Sequence, residues 1–213
     1  MKYIKTISLM LVFGAMSGRA ATTLTAQAFD TASIGLSSGV ALSSGIVNFG
    51  FYSVAPTRSV LEAYTSASSF LNNFTSVASG SMGIDTYSAL FSVTKEVATG
   101  DASFDAKQIY IIVGNGSTVA NSTQLGVFTD SGWITQANPS GPTPLAQSFE
   151  ISAVSGLGIL FGSYAAGAGE YPSDGVTNEY RLQAVIPEPN TMALLSLFGA
   201  VVLMRNRKNK ITG

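Results

Sequence analysis

Gln108-Ile109-Tyr110-Ile111-Ile112-Val113-Gly114-Asn115-Gly116 decides the class of fold. A continuous apolar run closed by Gly-Asn-Gly reads as a buried strand followed by a tight turn. Gln124-Leu125-Gly126-Val127-Phe128 follows at a distance that suits a hairpin partner. Asp130-Ser131-Gly132 then predicts a turn before Trp133.

Outward from this hairpin the β pattern continues. Residues 22–29 alternate and are rich in Thr and Leu, and 46–52 (Ile-Val-Asn-Phe-Gly-Phe-Tyr) read as a strand. Further strands are expected at 86–97, 148–153, 158–164 and 179–186. One helix is expected over 59–72. Ser59-Val60-Leu61-Glu62 has the form of a capping box, and Leu61, Tyr64, Ser68, Leu71 and Phe74 recur at three- and four-residue intervals. Residues 138–144, with three prolines, read as an irregular connection. The near-repeat at 35–39 and 41–45 is too short to imply a solenoid. The expected fold is mainly β, a β-sandwich or jelly-roll-like body with one short helix.

Charge divides the chain of 213 residues into three parts. The whole carries a net charge of −1. Residues 21–186 hold eleven acids and four bases, a net charge of −7, so the near-neutral total hides an acidic body between basic ends. No basic patch exists there to neutralise phosphates, and nucleic acid is not an expected partner. Cysteine and histidine are both absent, so disulfides play no part and zinc sites of the His/Cys kind are excluded. No cofactor is expected.

The two ends read as export signals. Lys2 and Lys5 precede an apolar segment at 7–16, and Gly18-Arg19-Ala20 offers small residues at the −3 and −1 positions of a cleavage site. Residues 1–20 are therefore expected to be a signal peptide, and 21–186 the exported domain. At the other end Pro187-Glu188-Pro189 is followed by an apolar segment within 191–204 and by Arg205, Arg207, Lys208 and Lys210. Residues 192–204 form a helix of about 20 Å at ~1.5 Å per residue, shorter than the ~30 Å hydrocarbon core. Snorkelling of Arg205 and Arg207 and local thinning make up part of the difference. The basic residues 205–210 hold this end on the cytoplasmic side. Pro187 and Pro189 cannot continue the helix, so the motif stays extended at the outer face. The alternative is an ordinary membrane anchor that stays attached.

These three elements, in this order, resemble the PEP-CTERM sorting domain of bacterial exported proteins, over residues 187–210. Asn190 stands where that family more often has Ser or Ala. The resemblance implies that an exosortase-type sorting protease recognises Pro187, Glu188 and Pro189 and removes the helix. It also implies transient membrane anchoring, followed by release to the cell surface or an exopolysaccharide matrix.

Catalytic motifs have little support. Gly35-Leu36-Ser37-Ser38-Gly39 matches a nucleophile elbow in letters, but no histidine exists to complete a triad. Ser92-Val93-Thr94-Lys95 matches S-x-x-K without its companion motifs. Glu96, Glu150, Glu170 and Glu179 are carboxylates that glycoside hydrolysis could use only if two of them faced each other about 5–9 Å apart. Asp101 and Asp105 do not complete a calcium loop. Trp133, Tyr164, Tyr171 and Tyr180 are candidate rings for stacking on sugars, with core packing as the alternative. Three sequons begin at Asn73, Asn115 and Asn121. The expected function is a non-enzymatic surface or matrix protein; the alternative is a carbohydrate-binding module, with a glycoside hydrolase a distant third.

Overall fold

The computed structural model describes residues 21–28, 32–83, 89–98, 100–137, 145–152, 157–171 and 175–185, with the side chains of 166–171 and 175–178 left aside. The expected signal peptide, the 138–144 connection and everything from Ile186 onward lie outside the described residues.

The protein is mainly β, with one short α-helix and several sheets, an arrangement consistent with a β-sandwich. The apolar run at 108–114 is at its centre. It forms β6 (Gln108–Gly114) in a central antiparallel sheet ordered β12-β7-β6-β3-β4. Its neighbours are β3 (Ile46–Tyr52) and β7 (Gln124–Ile134), with β4 (Phe74–Ser81) at one edge. β9 (Leu157–Phe161) and β12 (Gln183–Ala184) share the free side of β7.

β6 is buried on both faces, which is why its sequence is continuously apolar instead of alternating. Ile109, Ile111 and Val113 join one core with Val47, Phe49 and Phe128 of the same sheet. The other half of that core comes from two three-stranded sheets. One is ordered β5-β1-β8, from β5 (Phe91–Val97), β1 (Thr22–Ala28) and β8 (Ala146–Ile151). The second is ordered β10-β11-β2, from β10 (Ser163–Tyr171), β11 (Gly175–Arg181) and β2 (Ala32–Gly35). Leu24, Ile34, Phe91, Phe149 and Tyr180 are their contributions to the core. Tyr110 and Ile112 point the opposite way, into a second core closed by Leu61, Ala67 and Phe70. The helical segment is thus a cover for the outer face of the central sheet.

That segment differs from the expected helix over 59–72. α1 spans only Arg58–Glu62, and Ala67–Leu71 forms a separate 3-10 turn. The N-cap is Thr57, whose Oγ1 accepts the Val60 N–H at 3.4 Å, while Glu62 pairs with Arg58 at 2.7 Å and does not reach back to Ser59. The helix stops at Ala63, and the backbone is extended at Ser66 (φ −140°, ψ 146°), whose hydroxyl lies 2.8 Å from that of Ser69 and 3.1 Å from that of Ser68.

The turn expected at 130–132 is a bulge inside β7. Gly132 N–H does donate to Asp130 Oδ1 at 2.7 Å, the chemistry of a turn. Pairing with β6 nevertheless continues, with Tyr110 opposite Thr129 and Gln108 opposite Ile134. The Gln108 carboxamide holds the extra residues, donating to Asp130 O at 2.7 Å and Trp133 O at 3.2 Å.

Two expected strands are each two. Residues 158–164 divide at Gly162 into β9 and β10, and 179–186 divide at Leu182 into β11 and β12. At this corner both chains change sheet: β9 and β12 pair with β7, while β10 pairs with β11. Gly162 has φ +112°, and a Cβ there would stand 2.6 Å from the Arg181 carbonyl oxygen. Gly162→Ala is therefore expected to cost more than the ~1–3 kcal/mol of its backbone conformation alone. Gly83→Ala, at φ +97° with open space around it, supplies the backbone-only control. Urea unfolding of both variants checks this; equal losses would mean that the corner tolerates a side chain.

Candidate functional site

The most unusual chemistry among the described residues is a buried ion pair at this corner. Glu179 and Arg181 are two apart on β11, so both face away from the core side that receives Tyr180. The Glu179 side chain is 3% exposed and the Arg181 side chain 31%, with Nε 2.9 Å from Oε2. Glycines shape the space. A Cβ on Gly35 would lie 1.9 Å from Glu179 Oε1, and one on Gly39 would lie 2.9 Å from an Arg181 guanidinium nitrogen.

Both glycines belong to the Gly-Leu-Ser-Ser-Gly segment, which is a hairpin and not a strand-to-helix elbow. Gly35 bridges Ala41, Leu36 N–H donates to Val40 O at 2.7 Å, and Gly39 N–H donates to Leu36 O at 2.9 Å with φ +84°. Gln124 Oε1 accepts the Ser37 N–H at 2.8 Å, tying the hairpin to the start of β7. The Ser37–Gln124 bond holds the hairpin on β7, and the Leu182 N–H, donating to Gly35 O at 2.8 Å, holds it beside the end of β11.

The candidate stacking rings are distributed over the body. Trp133 is 8% exposed and packs edge-on to Phe149, centroids 6.3 Å apart, in the core beneath the central sheet. Tyr164 is 46% exposed on β10, an element of a different sheet. It leans on Tyr180 at 5.3 Å, which meets Phe128 at 5.7 Å. Tyr171 lies further along β10, and its side chain is outside the described ones. Among the described candidate rings, Tyr164 is the exposed one.

Three buried phenols give the described body a pH dependence; in one of them, Tyr110, burial alone raises the hydroxyl. Burial, with Tyr164 alongside, pushes the Tyr180 hydroxyl up to about 12, and its O–H donates to Ser152 O at 2.7 Å. Burial also raises Tyr52, helped by Tyr64 and Tyr110; its O–H donates to Phe70 O at 2.8 Å. The folded state thus keeps protons that the unfolded chain gives up near pH 10. Their contribution is complete below pH 10 and is lost as pH rises beyond it, for Tyr180 through about 12. Unfolding midpoints are expected to hold steady to pH 10 and then fall, with a shallower fall in Tyr52→Phe; identical alkaline slopes for the two proteins would contradict this.

The other candidates are not gathered. Ser92 and Lys95 are exposed on β5. Glu96 is exposed on the same strand, and Glu150 on β8 accepts a 3.5 Å bond from Gln27. The Glu170 side chain is outside the described ones. Asp101 caps a 3-10 turn at Ala102–Phe104, and the Ser103 hydrogen bonds hold its carboxyl below the usual value. Among the described residues no group of three or more Asp or Glu could hold a metal ion. Of the sequon asparagines, Asn115 is engaged internally, its Oδ1 accepting from Thr123 N–H and Gln124 N–H.

Pro187, Glu188, Pro189, Arg205, Arg207, Lys208 and Lys210 lie outside the described residues. The structure follows the chain to Val185, which is buried and donates its N–H to Thr123 O at 3.0 Å. Among the described residues no helix is long and apolar enough to cross a membrane.

In the sequence, Glu179 stands out only as one of four candidate carboxylates for glycoside hydrolysis, and Arg181 only as one of the four bases of residues 21–186. Their i, i+2 spacing on a strand was the available signal; the glycines that enclose them are more than 140 residues earlier. No family model, curated protein or solved structure matches the chain.

Proposed function

We propose that the β body is non-enzymatic cargo, carried across the inner membrane and released to the cell surface or an exopolysaccharide matrix. The observation that carries this reading is the order Pro187-Glu188-Pro189, apolar segment, basic end, behind a charged and then apolar N-terminus. Positive residues at 205–210 orient the apolar segment with the body outside. An exosortase-type protease that cuts at the Pro-Glu-Pro motif is the partner the tail implies, and the membrane is a transient one.

The character of the body supports the same reading. It has no cysteine to protect and no histidine, and it is strongly acidic between its two ends. Its described carboxylates are separated, capped or paired with arginine.

Replacing both Pro187 and Pro189 by Ala removes the extended motif without touching the described body. In the native host this variant is expected to stay in the membrane fraction with its tail, while the parent protein appears in the medium or matrix. Equal release of the two proteins would overturn the proposal.

A further inference from the structure

The structure shows which end of the body the tail leaves from. β12 runs antiparallel to β7, with Gln183 opposite Leu125 and Ala184 opposite Gln124. The chain is therefore heading toward the loop that joins β6 to β7 when it reaches Val185, beside Thr123. The hairpin that precedes β3 lies at the same end. Ile46 pairs with Gly114, Gly45 is close against the Gly114 carbonyl oxygen, and Ser37 is bonded to Gln124.

These two loops, 36–45 and 115–124, contain no Asp, Glu, Lys or Arg in a body of net charge −7. Their exposed residues are Ser, Thr, Asn and Ala, with Val40 at 60% exposure. The charged pair beside them shows only its cationic member to solvent, since Arg181 is 31% exposed and Glu179 3%. The acids Asp101, Asp105 and Asp130 stand at the other end, around the start of β6.

Chain length decides what faces this end. Seven Cα steps separate Val185 from Met192, where the apolar segment begins, so the tether spans at most about 25 Å at ~3.3–3.6 Å per residue. Roughly 5–7 Å of that is headgroup region. These two uncharged loops are thus held within about 20 Å of the lipid surface, and the screening length there is ~8–10 Å. Carboxylates placed at this end would be repelled by anionic headgroups, whereas Ser, Thr and Asn would not.

We propose that loops 36–45 and 115–124 are the membrane-facing surface of the protein, seated on an anionic lipid headgroup layer while the tail is attached. The proposal rests on the reading of residues 192–204 as membrane-inserted. It adds the orientation of the body and the surface through which the bilayer is met.

The chain has no cysteine, so single labels are unique. Full-length Ser38→Cys, Ser117→Cys and Ala102→Cys proteins, each carrying one fluorophore, are reconstituted into phosphatidylethanolamine vesicles with a minority of phosphatidylglycerol and a headgroup-bound quencher. Flotation of the vesicles reports insertion separately. The expected result is co-flotation, with marked loss of emission at positions 38 and 117 and little at 102. Co-flotation with equal quenching at all three positions overturns the proposed orientation and leaves the anchor reading standing. Failure to float overturns both. Quenching at 38 and 117 that appears only after host membrane proteins are added would make the partner a protein and overturn the lipid surface.

Discussion

Arg181→Met is expected to destabilise the body by about 3 kcal/mol, the lower end of the range for breaking a buried pair by removing one partner. The loss arises because Glu179, 3% exposed and closed over by Gly35, would be left buried without its partner. The lower end applies because Arg181 is itself 31% exposed and partly screened. Adding Glu179→Gln to Arg181→Met should recover most of the loss, since a neutral amide costs far less to bury than a charge. A denaturation double-mutant cycle measures this. An Arg181→Met midpoint equal to that of the parent, or losses that simply add, would show that the pair does not hold the corner.

Phe128→Ala should cost about 3–5 kcal/mol, through lost burial and the cavity left behind. The ring is fully buried, sits against Tyr180, and lies across Gly126, where a Cβ would meet it at 2.6 Å. It links the central sheet to β11, so the space it leaves is bounded by two sheets and cannot readily collapse. Gly126→Ala should be destabilising for the converse reason, because the ring must move to admit the methyl. Val54→Ala, at a residue 71% exposed, should stay within about 0.5 kcal/mol of the parent. Equilibrium unfolding of the three variants ranks them, and a Phe128→Ala loss near that of Val54→Ala would mean the core is assembled differently.

The strands that could be read from sequence are those whose residues carry their own signal. β3 and β6 are dense in large apolar side chains and end at glycine or a turn, and their observed bounds follow the apolar runs closely. β2 and β4 carry almost none of that signal. Ala-Ser-Ile-Gly and Phe-Thr-Ser-Val-Ala-Ser-Gly-Ser are strands because β11 and β3 pair with them, and that pairing is a tertiary fact. The same cause explains the bulge at 130–133, where a sound local turn signal loses to continued pairing with β6. The observed helix is shorter than the expected one because Leu61, Tyr64 and Leu71 keep a helical spacing although the backbone leaves the helix at Ala63 and is extended at Ser66. At the candidate site, the exposure of Tyr164 and the burial of Trp133 depend on which sheet each strand joins, and residue type does not encode that. The tail differs from the body in this respect, since apolar length and flanking charge are local properties.

Two-ended processing of an exported body is the central claim. Its most direct test is the intact mass of the protein recovered from the cells and the medium of the native host. The expected species starts near Ala21, ends near Pro187 and lacks the apolar segment. A released or surface species that retains Arg205, Arg207, Lys208 and Lys210 would contradict it, and would make the protein a permanently tethered component of the envelope.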